Sequence, residues 1–175
     1  HASTSNYTAA KPAAGWVNDA NAEKDWKKNI LKLHDQEHPT AIADAGMGGS
    51  YKGGTLLATA NSGQPVLCAA CHKSNALGTP AKAGIKPLTQ ALHSVHAAVK
   101  DPVSGATLDS STNRDACYLC HPGSATQCLR GAMGNAKTAT GANAIDCQSC
   151  HGSMSTVGAA SREGWLDQPN CQQCH

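Results

Sequence analysis

The chain contains no phenylalanine, and only three tryptophans and three tyrosines. Large aliphatic residues are scarce too. Leucine, isoleucine, valine and phenylalanine together supply 22 of 175 residues, about 13%, where a share under about 20% leans toward disorder. The 40% hydrophobic content is inflated by alanine. A core of such small side chains struggles to offset the conformational entropy of folding. Three further absences remove whole classes of function. No run of about 18 apolar residues exists, so no membrane-spanning helix is expected. No basic block points to nucleic acid. With 15% charged residues and a formal net charge of +2, the chain is not a self-repelling polyelectrolyte either. It opens at His1 without a leader and closes at His175, which reads as a mature or trimmed chain.

What the chain does have is nine cysteines and nine histidines. Eight of the cysteines fall into one repeated word: Cys68-Ala-Ala-Cys71-His72, Cys117-Tyr-Leu-Cys120-His121, Cys147-Gln-Ser-Cys150-His151 and Cys171-Gln-Gln-Cys174-His175. C-x-x-C-H is the attachment signal of c-type haem. Two thiols separated by two residues in a tight turn reach the two vinyl groups of one porphyrin and form thioethers. The adjacent histidine supplies the proximal nitrogen to the iron. The intervening pairs share no chemistry, so the constraint sits on Cys, Cys and His. Zinc ribbons do not require a histidine after every second cysteine, and redox C-x-x-C sites come singly in a βαβ setting. The expected cofactors are therefore four c-type haems, each with its iron.

The stretch from Leu92-His93-Ser94-Val95-His96, through Cys117-Tyr-Leu-Cys-His-Pro-Gly, to Gly164-Trp165-Leu166-Asp167-Gln168-Pro169-Asn170-Cys171 resembles multihaem c-type cytochromes. It is similar to the large multihaem cytochromes of metal-reducing bacteria, here in a tetrahaem form. The resemblance covers roughly the C-terminal half. It implies an electron-transfer protein of the cell surface or extracellular space, with the periplasm as the alternative. It also implies partners that are redox proteins or an extracellular electron acceptor. Some cytochromes of this kind polymerise into filaments with haem-to-haem contact between copies. A loose N-terminal arm, His1 and an end at His175 are compatible with that assembly, and equally with a tetrahaem segment of a larger cytochrome.

Four irons take four proximal ligands, His72, His121, His151 and His175. Setting aside the terminal His1 leaves four histidines, His34, His38, His93 and His96, for four distal positions. The match predicts that every iron is six-coordinate with two histidines. Met47, Met133 and Met154 are the rival ligands, each in a Gly- or Ser-rich stretch. A helix is expected over 87–100, started by Pro87 and closed by Asp101-Pro102, with Leu88, Ala91, Leu92, Val95 and Val99 on one face. His93 and His96 lie in adjacent turns about 60° apart around its axis, which suits two neighbouring haems. A second helix is expected over 19–38, with a Glu23–Lys27 pair and Trp26, Ile30 and Leu33 on one face. Pro39 stops it and pushes His38 toward extended backbone. Cys128 is the odd thiol, read as a buried free cysteine, with a labile or intermolecular disulfide as the alternative.

The four words begin at 68, 117, 147 and 171, leaving gaps of 49, 30 and 24 residues. Such gaps hold little beyond a helical turn and a loop. The expected fold is mostly irregular with a few short α-helices and almost no β, a multihaem cytochrome c wrapped around a stacked haem core. A single domain over 1–175 is expected, with an arm at 1–18, ligand-bearing helices at 19–38 and 87–100, and haem attachment over 68–175. Glycine-rich 40–66, and residues 101–114 and 131–144, read as loops. The function expected is electron transfer along closely spaced haems with both axial positions filled. The chain is not expected to be an enzyme. The alternative of another class is a multihaem reductase, which needs one iron with an open position. Here every word ends in histidine and spare histidines suffice for every iron.

Overall fold

The computed structural model describes residues 15–101, 104–110, 114–118, 120–121, 129, 131–164, 166–169 and 172. His1, the arm up to 14, Cys128, Trp165, Cys171, Cys174 and His175 lie outside the described residues. Among those described, the elements are eight short α-helices: α1 (Ala22–Glu37), α2 (Ala41–Asp44), α3 (Leu56–Asn61), α4 (Leu88–His96), α5 (Arg114–Tyr118), α6 (Ala132–Asn135), α7 (Cys147–His151) and α8 (Met154–Val157). Single 3-10 turns stand at Cys68–Ala70 and Asn75–Leu77. Pairing between extended segments is limited to three isolated antiparallel bridges, Ser74–Thr79, Lys100–Thr107 and Lys137–Asn143, and no strand forms among the described residues. No helix there is long and apolar enough to cross a membrane. The chain divides into two compact units, His1–His72 with Ala81–Ile85, and Lys73–Pro80 with Lys86–His175.

In the first unit, α1 starts where the Asn21 side chain accepts the Lys24 amide, with Glu23 and Asp25 in the first turn favouring the positive end of the helix. Asp19 stays outside the helix and pairs with Lys28 at 2.7 Å. Glu23 and Lys27 pair at 3.1 Å, as their i,i+4 spacing implies. The helix ends at His38, whose backbone (φ −136°, ψ 68°) has left the helical region ahead of Pro39. The buried face differs from the expected one. Ile30 is 46% exposed, whereas Asn29 is fully buried. A buried amide is tolerable only when its polar atoms are paired. Asn29 Oδ1 accepts the Val17 amide at 2.7 Å, and Nδ2 donates to the Val17 and Asp25 carbonyls at 3.0 Å. This side chain therefore pins residues before the helix onto its flank.

The 40–66 stretch, expected as loop, carries two helices. α3 forms because Thr55 Oγ1 accepts the Ala58 amide and the Asp35 carboxylate, reaching over from α1, accepts the Leu56 and Leu57 amides at 2.8 and 2.9 Å. Gly53 lies so close to Ala58 and Thr59 that a Cβ would overlap the Thr59 amide. Ile42, Tyr51 and Leu56 form a small core, with Leu31, Met47, Val66 and Ala70 packed against it. The Tyr51 hydroxyl accepts the Leu67 amide at 3.1 Å, one residue before the first cysteine word.

In the second unit, α4 is shorter than the expected 87–100. The carbonyls of Ala97 and Val99 accept amides of Asp109 and Leu108 instead of continuing the helical ladder. α8 packs on α4, and Gly158 lets the two backbones meet at His93–Ser94 with no room for a Cβ. A capping box between Asp146 and Ser149 starts α7. Arg114 braces this region by donating to the Ile145 and Gly134 carbonyls. α6 occupies part of the 131–144 stretch expected as loop, so that expectation is also corrected.

Candidate functional site

The three described cysteine words adopt one local shape, a single helical turn. The His72 amide donates to the Cys68 carbonyl at 3.0 Å, and the His121 amide to the Cys117 carbonyl at 2.9 Å. The third word, Cys147–His151, is itself α7. One turn of this kind brings two thiols close together and sets the histidine four residues after the first cysteine. Cys68, Cys71, Cys117, Cys120, Cys147 and Cys150 form no disulfide. Burial raises the Cys71 pKa. It also pushes the Cys117 thiol up to about 12, helped by the Cys147 thiol beside it. The second and third words therefore lie against one another, in keeping with the packing of α5 on α7.

Two helix histidines meet two word histidines. In the first unit the His34 and His72 ring centres are 6.3 Å apart with planes at 82°. In the second, His93 and His121 are 6.1 Å apart with planes at 17°. Two imidazoles on opposite sides of one metal, each with a metal–nitrogen bond of about 2 Å, bring their ring centres to about 6 Å. Rotation about the nitrogen–metal–nitrogen line leaves the angle between the rings free, so both angles suit that arrangement. His38 sits 5.1 Å from the His34 ring. Among the described residues, His38 and His96 make no ring contact with a word histidine, and His151 makes none with a helix histidine.

The helix histidines are also oriented. His93 Nδ1 lies 2.8 Å from the Thr89 carbonyl and His96 Nδ1 2.6 Å from the Leu92 carbonyl. A carbonyl can only accept, so each Nδ1 carries the proton and each Nε2 keeps its lone pair for a metal. This is the partner that a metal-ligating histidine normally finds for its other nitrogen. His34 differs: its Nδ1 is buried without a hydrogen-bond partner. Burial lowers the pKa of His34, His93 and His151, each with neighbouring cationic or imidazole groups adding to the effect. All three are held neutral, the form that ligates.

The residues present fit c-type haem. Leu67 (63% exposed), Leu92 (49%) and Val95 (66%) flank the first word and the α4 histidines as open apolar surface, the kind of wall a porphyrin face packs against. The apolar stripe of α4 is thus only partly covered by protein, with Leu88 and Ala91, and Val99 beyond its end, half-buried and Leu92 and Val95 open. Among the described residues no three His, Cys, Asp or Glu side chains converge as a four-coordinate zinc site would require. Of the rival methionines, Met47 packs against the Ile42–Tyr51–Leu56 core, Met133 is exposed, and Met154 opens α8. Sequence reasoning missed the supporting residue Asp35, whose carboxylate starts α3. It also missed the Thr89 carbonyl, which the i−4 spacing from His93 could have indicated. The chain matches no protein-family model, no curated protein and no solved structure.

Proposed function

We propose that this chain is a tetrahaem c-type cytochrome that carries electrons along closely spaced haems with two histidines on each iron. The observation that carries the reading is the pairing of a word histidine with a helix histidine, twice and in separate units, at 6.3 and 6.1 Å.

What the bound groups supply is a one-electron couple at each iron. The residues do the rest. The cysteine pairs 68/71, 117/120, 147/150 and 171/174 would hold one porphyrin each by thioethers. His72 with His34, and His121 with His93, would supply two imidazole ligands to each of the first two irons, which would let the iron change oxidation state with little movement of the chain. His151, His175, His38 and His96 would serve the remaining two. The Thr89 and Leu92 carbonyls hold the α4 imidazoles in the ligating tautomer. Leu67, Leu92 and Val95 would lie against the porphyrins and limit water there. On the resemblance, the setting is extracellular or at the cell surface, and the partners are redox proteins or an extracellular acceptor.

The test is the protein matured in a host that attaches c-type haem. Denatured intact mass should show four covalent haems, and the oxidised protein should be low-spin throughout. A chain without a Soret band, or with a substantial high-spin fraction, overturns the proposal. Ready CO binding by one ferrous iron at neutral pH would favour the reductase reading instead.

A further inference from the structure

The two histidines of α4 differ in what meets their second ring nitrogen. His96 Nδ1 donates to the Leu92 carbonyl at 2.6 Å, and a leucine has no side-chain acceptor to add. His93 Nδ1 meets two oxygens of one residue, the Thr89 carbonyl at 2.8 Å and the Thr89 hydroxyl at 3.2 Å. The carbonyl can only accept, so Nδ1 carries the proton. The hydroxyl oxygen beside it is then a second acceptor for the same N–H.

The Thr89 side chain is not free to turn away. A Cβ on Gly164 would overlap its methyl group, so the Gly164 backbone lies directly against it. Asn75 holds that backbone in turn, donating from Nδ2 to the Gly164 carbonyl at 3.0 Å and to the Glu163 carboxylate at 3.3 Å. Gly158 likewise sits against the His93–Ser94 backbone with no room for a Cβ. The methyl is wedged against the turn, and the hydroxyl is left beside the imidazole. Thr89 is half-buried, which limits the competition of water for this N–H.

We propose that Thr89 is a positioning residue that lowers the reduction potential of the second word's haem iron through His93. This rests on the tetrahaem reading above and on His93 facing His121. Each acceptor draws the Nδ1 proton away from the ring and raises the electron density at Nε2. A more basic axial nitrogen favours the iron that holds one electron fewer, so the potential falls. A backbone carbonyl is available to any helical histidine; the hydroxyl is what the threonine adds. One neutral hydrogen bond is worth about three- to tenfold in an equilibrium, and one shared with a carbonyl falls at the low end. A threefold change in the ratio of reduced to oxidised iron is about 28 mV for a one-electron couple.

The experiment is a mediated redox titration of the haem-loaded protein as wild type, Thr89→Val and Thr89→Ser, with the spin state recorded for each. Valine puts a methyl in the place of the hydroxyl and leaves no space for a water to substitute. Serine keeps the hydroxyl and drops the methyl that rests on Gly164. The expected result is that one of the four couples rises by about that threefold shift in the Val variant and stays at its wild-type position in the Ser variant, with every iron low-spin. A Val titration that superimposes on wild type, or in which the couple falls, overturns the proposal. So does an equal rise in both variants, or a shift spread evenly over several couples, since either would mean that Thr89 acts by packing on the turn. Should the Val variant fail to load haem, Thr89→Ala takes its place on the same terms. Failure of both to load overturns the proposal, because the residue is then a requirement of assembly. A wild-type chain that carries no haem defeats the underlying reading, a distinct failure read from the spectrum before any titration.

Discussion

Asp35 offers the sharpest test of how the first site is held. It follows His34 in α1, yet its carboxylate points across to α3 and accepts the Leu56 and Leu57 amides at 2.8 and 2.9 Å. These are the first amides of α3, which no carbonyl within the helix can satisfy. Hydrogen bonds to a charged acceptor contribute about 1.5–3 kcal/mol each, and a helix cap about 1 kcal/mol. The two bonds share one acceptor and one helix end, so they do not add fully. Thr55 Oγ1 still caps the Ala58 amide in a variant. Asp35→Ala should then cost about 2–3 kcal/mol, and Asp35→Asn, which keeps one acceptor, about half as much. Leu56 is buried in the Ile42–Tyr51 core, so releasing its amide loosens the core as well as the cap. The assay is equilibrium urea unfolding of the haem-loaded protein, followed by far-UV circular dichroism and by the Soret band. The midpoint should fall with an unchanged slope. The low-spin signature of the first site should become labile at lower urea than that of the others. An Asp35→Ala protein within about 0.5 kcal/mol of wild type would refute the account of α3 as a helix started by α1.

Three other outcomes follow from the same geometry. Asn29→Ala removes three hydrogen bonds from a fully buried side chain and should cost about 2–4 kcal/mol in the same unfolding assay, with early proteolysis near Val17. His93→Ala should open one iron in four, seen as a high-spin signal and as one equivalent of bound CO; retention of a fully low-spin spectrum would show that His93 does not face His121 across a metal. Acid stability should depend on Asp109, which accepts the Ser155 amide and hydroxyl at 2.6 and 3.0 Å and whose pKa those bonds lower. A carboxylate with a depressed folded pKa contributes stability above its unfolded value of about 3.8 and loses it as pH falls through the lower folded value. Thermal melts of Asp109→Asn and wild type should therefore differ at pH 6 and converge in strong acid, and parallel curves across that range would contradict it.

How much of this was legible in the sequence depends on what kind of interaction decided each element. The cysteine words were legible as a pattern because the same residue types recur at one fixed spacing, whatever surrounds them. α1 and α4 were legible as helices from caps, prolines and period, but their buried faces were not. On α1 a polar residue, Asn29, won the buried position through two bonds to Val17, twelve residues earlier, and one to the Asp25 carbonyl, and no hydrophobic periodicity encodes them. On α4 the apolar stripe was read correctly as apolar, yet Leu92 and Val95 remain open rather than packed on protein. α3 was missed because half of its start signal comes from Asp35, about twenty residues earlier, while glycines on either side read as loop. The turn against α4 was missed for a related reason: Gly158 and Gly164 bring it close to His93–Ser94 and Thr89, and such a close approach has no local signature. Where residue types repeat at a fixed spacing, position in the chain suffices. Where a lone polar side chain substitutes for a missing hydrophobic core, only the folded contacts identify it. A chain with about 13% large aliphatic and phenylalanine residues relies on such contacts more than most. The small core of Ile42, Tyr51 and Leu56 cannot by itself set the geometry of both imidazole pairs. The pairing of His34 with His72 must rest instead on the polar clasp of Asp35 and the hydroxyl of Tyr51 on the Leu67 amide.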